Sequence, residues 1–193
     1  MSEADLIHLH VDPETGLLRE ARLALSPNRD ARPDGPLDLV VLHNISLPPG
    51  QYGGPYIEDF FLNRLDPSVD DYFEEIAGMQ VSSHLLVRRD GTLLQFVPFH
   101  ERAWHAGASE YEGRARCNDF SIGIEIEGTD EQSYEEIQYE MVSAVIAALA
   151  VAYPGISTSR VTGHCHIAPQ RKTDPGPAFN WAHLRGLMDS YSA

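Results

Sequence analysis

Residues 120–128 carry the feature that most constrains the fold, a strict alternation of apolar and polar side chains. One face collects four apolar residues, namely Phe120, Ile122, Ile124 and Ile126. The other face collects Ser121, Gly123, Glu125 and Glu127. Because side chains alternate across a β-strand, the pattern predicts a strand with its glutamates pointing away from an apolar core. A polar strand face ordinarily contacts solvent, but Gly123 indicates the close approach of a ligand or of another backbone segment.

Two other stretches also predict strands. Residues 37–42 form a short aliphatic run bounded by turn-forming residues, which is typical of a strand inside a sheet. Residues 83–97 contain Asp90-Gly91 between two apolar runs, and this dipeptide supplies the positive φ angles of a tight hairpin turn. Together with residues 120–128, these segments predict one sheet with at least four strands.

Helical spacing of apolar residues recurs in three places. Residues 133–153 predict the longest helix, since Ser133 and Glu136 have the spacing of a capping box and apolar residues follow at helical intervals. Residues 56–65 and 179–188 show shorter stretches of the same spacing. The sequence therefore predicts an α+β fold, with a central mixed β-sheet flanked by helices.

The composition restricts the classes of function. A length of 193 residues with 42% hydrophobic content fits one compact domain. The formal net charge of -15 argues against nucleic-acid binding, because a phosphate backbone repels an acidic surface. We see no export signal and no apolar run near the roughly 20 residues that span a bilayer, so we expect a cytosolic monomer without a membrane partner. The two cysteines, Cys117 and Cys165, are expected to be reduced thiols.

Two segments predict connections between the regular elements. Residues 26–36 are rich in turn-forming residues and predict a surface connection. Residues 98–119 lack periodicity, and a loop of about twenty residues inside a compact domain is often functional. In this loop Trp104 is suited either to stack on a sugar or to anchor the loop by packing. Arg114 and Arg116 are chemically suited to bind a carboxylate with two hydrogen bonds.

Residues 161–177 concentrate the chemistry of the chain. Two histidines, a cysteine, a lysine and an aspartate lie there among glycines and prolines, which predicts a shaped loop rather than a core element. Imidazole, carboxylate and ammonium groups are the components of a hydrolytic metal site. A catalytic zinc ion takes three protein ligands and keeps a fourth position open. His43, His164 and Asp174 meet this requirement if the loop returns to the end of the strand at residues 37–42.

Simpler interpretations of the same residues remain open at this point. His43 alone is equally typical of a buried histidine that donates a hydrogen bond to a loop carbonyl. A structural zinc site is a second alternative, in which Cys165 or Cys117 joins His164 and His166. Its signal is weak because the paired short spacings of structural zinc sites are missing.

Four separated segments, in their order along the chain, closely resemble the AmpD-type 1,6-anhydro-N-acetylmuramyl-L-alanine amidases. They are residues 43–50 (HNISLPPG), 102–107 (RAWHAG), 117–125 (CNDFSIGIE) and 162–177, which include TGHC and RKTDPGP. The resemblance extends over nearly the whole chain from about residue 32. It implies a single zinc amidase domain over residues 1–193, with its core at about 32–190.

The resemblance also implies roles for individual residues. It places the zinc ligands of the family at His43, His164 and Asp174. It places the catalytic glutamate at Glu125 and the catalytic lysine at Lys172. The expected chemistry is proton transfer by Glu125 and stabilisation of an oxyanion by Lys172 together with zinc.

Substrate and pathway follow from the same resemblance. Family members in the cytoplasm hydrolyse the amide between the lactyl group of anhydro-N-acetylmuramic acid and the L-alanine of the stem peptide, during peptidoglycan recycling. Asn44, Trp104 and Arg116 are the implied contacts of this small-molecule substrate. A non-catalytic muropeptide-binding module and a wall-lytic amidase are the alternative functions.

Three positions depart from the family pattern. The family commonly has Trp at the position of Tyr56, Arg at that of Gln80 and Asp at that of His166. None of these is an implied zinc ligand, so the expected reaction is unchanged. Gln80 removes a positive charge that a peptide carboxylate would meet, which leaves the peptide preference open and Arg116 as the candidate contact.

Overall fold

A six-stranded mixed β-sheet organises the chain in the computed structural model, which describes residues 6–191. In sheet order the strands are β12 (Val161–Gly163), β5 (Leu39–Ile45), β11 (Ser121–Glu127), β6 (Leu85–Val87), β7 (Leu93–Gln95) and β3 (Arg22–Leu23). Neighbouring strands are parallel except for the antiparallel pair β6 and β7. The predicted fold class and the predicted hairpin at residues 83–97 are therefore confirmed.

Strands β5 and β11 form the centre of the sheet. Seven residues of each are paired in parallel register, from Leu39 opposite Ser121 to Ile45 opposite Glu127. Both strands were predicted, but β5 continues to Ile45, so His43 lies within the strand rather than at its end. Every residue of β11 is buried, including its polar face. Solvent exposure of that face was therefore the wrong expectation, because protein covers it.

Helices cover both faces of the sheet. On one face lie α3 (Glu136–Ala152) and α5 (Trp181–Ser190), which share an apolar core with the inward residues of β5 and β11. On the other lie α1 (Tyr56–Phe61) and α2 (Asp71–Ile76), packed against β6 and β7. Each fully buried aliphatic or aromatic side chain stabilises such a core by about 1.5–3 kcal/mol. Within residues 6–191, no helix has both the length and the apolar character needed to cross a bilayer.

The start of α3 differs from its prediction. The helix begins at Glu136 after Glu135, and the side chain of Gln138 accepts a hydrogen bond from the backbone N–H of Glu135 at 3.0 Å. The predicted capping box of Ser133 and Glu136 is therefore wrong. The carbonyl of Ser133 instead accepts a hydrogen bond from Arg89 at 3.1 Å, which is a tertiary contact.

Three two-stranded ribbons lie beside the main sheet. They are β1 (Val11–Asp12) with β2 (Leu17–Leu18), β4 (Arg29–Ala31) with β8 (Glu101–Ala103), and β9 (Glu110–Tyr111) with β10 (Arg114–Ala115). Residues 26–36, predicted as a surface connection, thus contain β4 and the buried residues Ser26 and Asn28. Their polar side chains are buried because they bond to carbonyls, as Asn28 does with that of Val81 at 2.8 Å.

Residues 161–177 are also more regular than predicted. They begin with the edge strand β12, in which Thr162 is opposite Val41 and Gly163 opposite Leu42. A single helical turn, α4 (His164–Ile167), follows directly. Only the part after α4 is the predicted loop. Residues 161–163 are ordered by pairing with β5, and the local sequence does not indicate this pairing.

Candidate active site

The structure brings together three donor side chains that the sequence separates widely. His43 comes from β5, His164 from the first position of α4, and Asp174 from the loop that follows α4. Their Nδ1, Nδ1 and Oδ2 atoms form a nearly regular triangle. The distances are 3.0 Å between the two histidines and 3.1 Å from each histidine to Asp174. Within residues 6–191 this is the only group that meets the geometric requirements of a metal site.

The path of the backbone explains why these residues meet. Gly163 is opposite Leu42 in the parallel ladder of β12 and β5, so the next residues of both strands, His164 and His43, are neighbours. The loop then returns, because the backbone N–H of Cys165 donates to the carbonyl of Asp174 at 2.9 Å. The condition stated from the sequence, that this loop return to the first buried strand, is met.

The triangle has dimensions suited to a metal ion. Bond lengths of about 2.0–2.1 Å around tetrahedral zinc place neighbouring ligand atoms roughly 3.3–3.4 Å apart, close to the observed separations. His164 also presents the right tautomer, because its Nε2 lies 3.2 Å from the carbonyl of Ala106, which only accepts hydrogen bonds. The proton is therefore on Nε2, and the lone pair of Nδ1 faces His43 and Asp174.

The electrostatics favour the metal-binding protonation states of His43 and Asp174. Burial lowers the pKa of His43 to about 4, although the nearby carboxylate of Asp174 has an opposing effect. Burial alone would raise the pKa of Asp174, but the close imidazoles of His164 and His43 hold it below its ordinary range. A metal ligand must be a neutral imidazole or an ionised carboxylate, so both shifts favour metal binding.

Glu125 lies beside this cluster. It is the register partner of His43 on β11 and is only 8% exposed. Its Oε2 atom is buried without a hydrogen-bond partner among residues 6–191. Burial raises its pKa well above the ordinary value, with a further increase from the charge of Asp174 and an opposing decrease from Lys172. A buried carboxylate with a free oxygen and a raised pKa is suited to take up and release a proton.

A cleft of about 470 Å³ opens over the cluster and Glu125. Its polar wall includes Lys172, Thr173 and Arg171 from the loop after α4. Trp104 lines it as well and is half-buried. An apolar wall is contributed by α1, α2 and nearby loops, through Leu47, Phe60, Phe61, Tyr72, Ile76, Met79 and Val81. The cleft therefore combines one charged and one apolar side over the same floor.

The three implied substrate contacts lie in different environments. Trp104 and Asn44 line the cleft, but the amide of Asn44 already donates to Asp130 at 2.7 Å and to the carbonyl of Pro175 at 3.1 Å. Arg116 lies outside the cleft, with its side chain 72% exposed and paired with Asp119 at 3.2 Å.

The departures from the family pattern are peripheral to the cluster. Gln80 is exposed, and Tyr56 packs against Phe73 with ring centroids 5.1 Å apart. His166 is exposed, and its Nδ1 accepts from the backbone N–H of Gly163 at 3.2 Å. None of these side chains belongs to the metal-compatible group.

The cysteines do not form part of the cluster. Both are free thiols, Cys117 being buried and Cys165 half-buried. Burial raises the pKa of each thiol, which disfavours the thiolate that a metal requires. The alternative of a structural zinc site built on Cys165 or Cys117 with His166 therefore has no geometric support within the described range.

Sequence reasoning missed the residues that surround the donors. His105 Nδ1 lies 2.9 Å from His43 Nε2, and the ring of His105 covers the polar face of β11. A Cβ atom at residue 123 would lie only 2.4 Å from Cγ of that ring. The glycine was the one signal of close approach in the sequence, but it did not identify His105 as the approaching group.

Comparison with known proteins agrees with this geometry. A family model described as N-acetylmuramoyl-L-alanine amidase matches residues 33–177. The chain is 56% identical over 176 residues to the 1,6-anhydro-N-acetylmuramyl-L-alanine amidase AmpD of Escherichia coli strain K12, covering 91% of this chain and 96% of that protein.

Solved structures extend the similarity to three dimensions. The crystal structure of a selenomethionine derivative of AmpD has 55% sequence identity and a TM-score of 0.87, covering 92% of this chain and 98% of that chain. The E. coli amidase AmiD, in complex with anhydro-N-acetylmuramic acid-L-Ala-D-gamma-Glu-L-Lys, has 30% identity and a TM-score of 0.57, covering 92% of this chain and 65% of that one. This chain belongs to the N-acetylmuramoyl-L-alanine amidase family, in which it is similar to the AmpD amidases.

Proposed function

We propose that this chain is a zinc-dependent amidase that cleaves the bond between anhydro-N-acetylmuramic acid and the L-alanine of a stem peptide. The observation that carries the proposal is the triangle of His43, His164 and Asp174 beside the partnerless carboxylate oxygen of Glu125. A three-ligand set leaves a fourth position open, as catalytic rather than structural zinc sites do.

The residues of the chain divide the chemistry among them. Zinc, when bound, polarises a carbonyl and lowers the pKa of a water molecule to about 7. Glu125 accepts a proton from the attacking water at its free carboxylate oxygen and transfers it to the leaving amine nitrogen. Lys172 stabilises the negative charge that develops on the amide oxygen. Proton transfer of this kind contributes typically about 10²–10⁴-fold to the rate.

The cleft is suited to an amphipathic ligand. Trp104 offers an apolar surface on which a sugar ring stacks. Asn44 contributes the carbonyl oxygen of its side chain, since its amide is engaged with Asp130 and Pro175. The bound anhydromuropeptides of AmiD and of Pseudomonas aeruginosa AmpDh3 are ligands of this chemical class. Arg116 stays a predicted peptide contact, which requires a stem peptide that extends beyond the rim of the cleft.

We also propose the cellular setting. The length of 193 residues and the similarity to AmpD amidases support a single-domain protein that acts on a small muropeptide in the cytoplasm, during peptidoglycan recycling, and we expect it to be a monomer. Gel filtration with light scattering and fractionation of cells would test these two assignments. The mass of a dimer in light scattering, or recovery of the protein with the cell envelope, would contradict them.

The central experiment measures release of the L-alanine-containing peptide from anhydromuropeptide, with and without a chelator. We expect release by the zinc-loaded protein, loss after chelation and recovery when zinc is returned. Binding of the muropeptide without cleavage would identify a non-catalytic recognition module. Preferential release from intact cell walls would identify a wall-lytic amidase. Cleavage that survives complete zinc removal would contradict the metal assignment.

A further inference from the structure

A directional chain of hydrogen bonds runs from His43 to the carbonyl of Cys117. The direction of its last bond is fixed, because the Cys117 carbonyl can only accept. Oγ of Ser121, which lies 2.6 Å away, therefore donates to it. The single hydroxyl proton of Ser121 is thereby used. Because Nε2 of His105 lies 3.2 Å from the same Oγ, that nitrogen is the donor of the second bond.

The direction then propagates to the metal-compatible triangle. A neutral His105 with its proton on Nε2 has a lone pair on Nδ1, which lies 2.9 Å from Nε2 of His43. His43 therefore donates from Nε2, and the lone pair of its own Nδ1 faces His164 and Asp174. The chain sets the same tautomer in His43 that the carbonyl of Ala106 sets in His164.

His105 and Ala106, which are adjacent in sequence, thus orient the imidazoles of His43 and His164. The position of this adjacent pair is itself fixed. The backbone N–H groups of His105 and Ala106 both donate to the side-chain oxygen of Asn118, at 3.1 and 2.8 Å. The ring of His105 lies on the strand at Gly123, where any side chain would collide with it. Because these hydrogen bonds hold its backbone and the strand at Gly123 packs against its ring, His105 has little freedom to adopt another orientation.

We propose that His105 is a positioning residue: through Ser121 and the Cys117 carbonyl it fixes the orientation and the tautomer in which His43 binds the metal. The inference rests on the proposed function, because it takes His43 as a zinc ligand. It assigns no direct contact with substrate to His105 or to Ser121. Outer contacts of this kind typically change metal affinity by roughly 10–100-fold.

The experiment measures the zinc dissociation constant by chelator competition in two buried-serine variants. Ser121→Ala removes the hydroxyl that accepts from Nε2 of His105 and donates to the Cys117 carbonyl, and we expect zinc affinity to fall by roughly 10–100-fold. Ser83→Ala is the matched control, since Ser83 is equally buried and donates only to the carbonyls of Leu85 and Gly123. We expect its zinc affinity to equal that of the parent protein.

A second measurement uses the unsubstituted, zinc-loaded protein and does not depend on a variant that folds. Nitrogen-15 spectra of labelled histidine should place the proton of His105 on Nε2. A proton on Nδ1 of His105 would overturn the proposal. Equal zinc affinities in Ser121→Ala and the parent protein would also overturn it, as would equal losses of zinc affinity in Ser121→Ala and Ser83→Ala. If the parent protein itself bound no zinc, the proposed function would fail instead, and this outcome is distinct from the others.

Discussion

His43 and Glu125 lie directly opposite each other in the parallel ladder of β5 and β11, with their side chains on the sheet face away from α3. Parallel pairing keeps this relationship rigid, because seven consecutive register pairs hold the two strands together. A proposed metal ligand and a proposed proton carrier are therefore positioned by the most buried part of the fold. Their separation depends on the sheet and not on any loop.

Replacing Glu125 by Gln is expected to abolish most activity while leaving zinc content unchanged. The amide keeps the shape of the side chain but accepts no proton, so the turnover number should fall by roughly 10²–10⁴-fold. Steady-state kinetics and metal analysis of the same sample would test this. Glu127→Gln is the control, because Glu127 is buried on the same strand face but bonds to Arg88 and to backbone N–H groups. Normal turnover in Glu125→Gln would refute the assignment.

Zinc content should depend on Asp174 and not on Cys165. Asp174→Ala removes one corner of the donor triangle, so we expect a larger loss of zinc affinity than the roughly 10–100-fold associated with outer contacts. Cys165→Ser should retain full zinc stoichiometry, because the thiol is outside the cluster. Metal analysis after dialysis against a weak chelator would test both. Loss of zinc from Cys165→Ser would revive the structural zinc alternative.

A side chain at residue 123 is expected to disturb both stability and metal binding. In Gly123→Ala the new methyl group would meet the ring of His105, and overpacking of this kind costs about 1–3 kcal/mol of unfolding free energy. Gly186→Ala is the control, since Gly186 lies in α5 with open space around it. Alanine there should be neutral or stabilise by up to about 1 kcal/mol. Urea denaturation of both variants would decide, and equal stabilities would contradict the packing argument.

The metal-free protein should lose stability as the pH falls below about 6.5. Burial lowers the pKa of His84 to about 3, with a further decrease from the charge of Arg32, and lowers that of His43 to about 4. Between these values and about 6.5 the unfolded chain binds more protons than the folded one, so the unfolding free energy decreases on acidification. Burial also lowers the pKa of His105, so three histidines contribute to this decrease. The raised pKa of Glu125 has the opposite effect on the unfolding free energy, but it is a single group.

Urea denaturation at several pH values between 7 and 4 would test this expectation in variants. In His84→Gln the slope of unfolding free energy against pH should be smaller by up to about 1.4 kcal/mol per pH unit. His8→Gln, at an exposed position, should keep the parent slope. A parent protein whose stability is unchanged from pH 7 to 4 would contradict the neutral, buried state of these histidines.

Much of the fold was predictable because the hydrophobic pattern within each main strand and helix is visible in its own sequence. The alternation at residues 120–128 and the aliphatic run at 37–42 identify β11 and β5 by local hydrophobic periodicity. Short elements such as β4 and β12 were missed, because strands of three residues depend on pairing with distant partners. The polar face of β11 was misjudged for the same reason, since its cover comes from another segment.

The candidate site shows a similar division. Residue chemistry and spacing indicated a metal site that uses His43, His164 and Asp174, but the choice among alternatives came from the family resemblance. The orientation of His43 by His105 had no signal in the spacing, since 62 residues separate them in sequence. Directional hydrogen bonding depends on atomic geometry, which a sequence pattern does not contain.

The edge position of β12 has a consequence for the order in which the protein matures. The central strands β5 and β11 are complete once the chain reaches residue 127, so a folding nascent chain can present His43 beside Glu125 at that stage. His164 and Asp174 are synthesised later and are added from the border of the sheet. The proposed metal site is therefore completed late in biosynthesis, and a chain interrupted before residue 164 retains one of its three proposed donors. Under the proposed function, zinc binding would thus distinguish the finished polypeptide from its partly translated precursors.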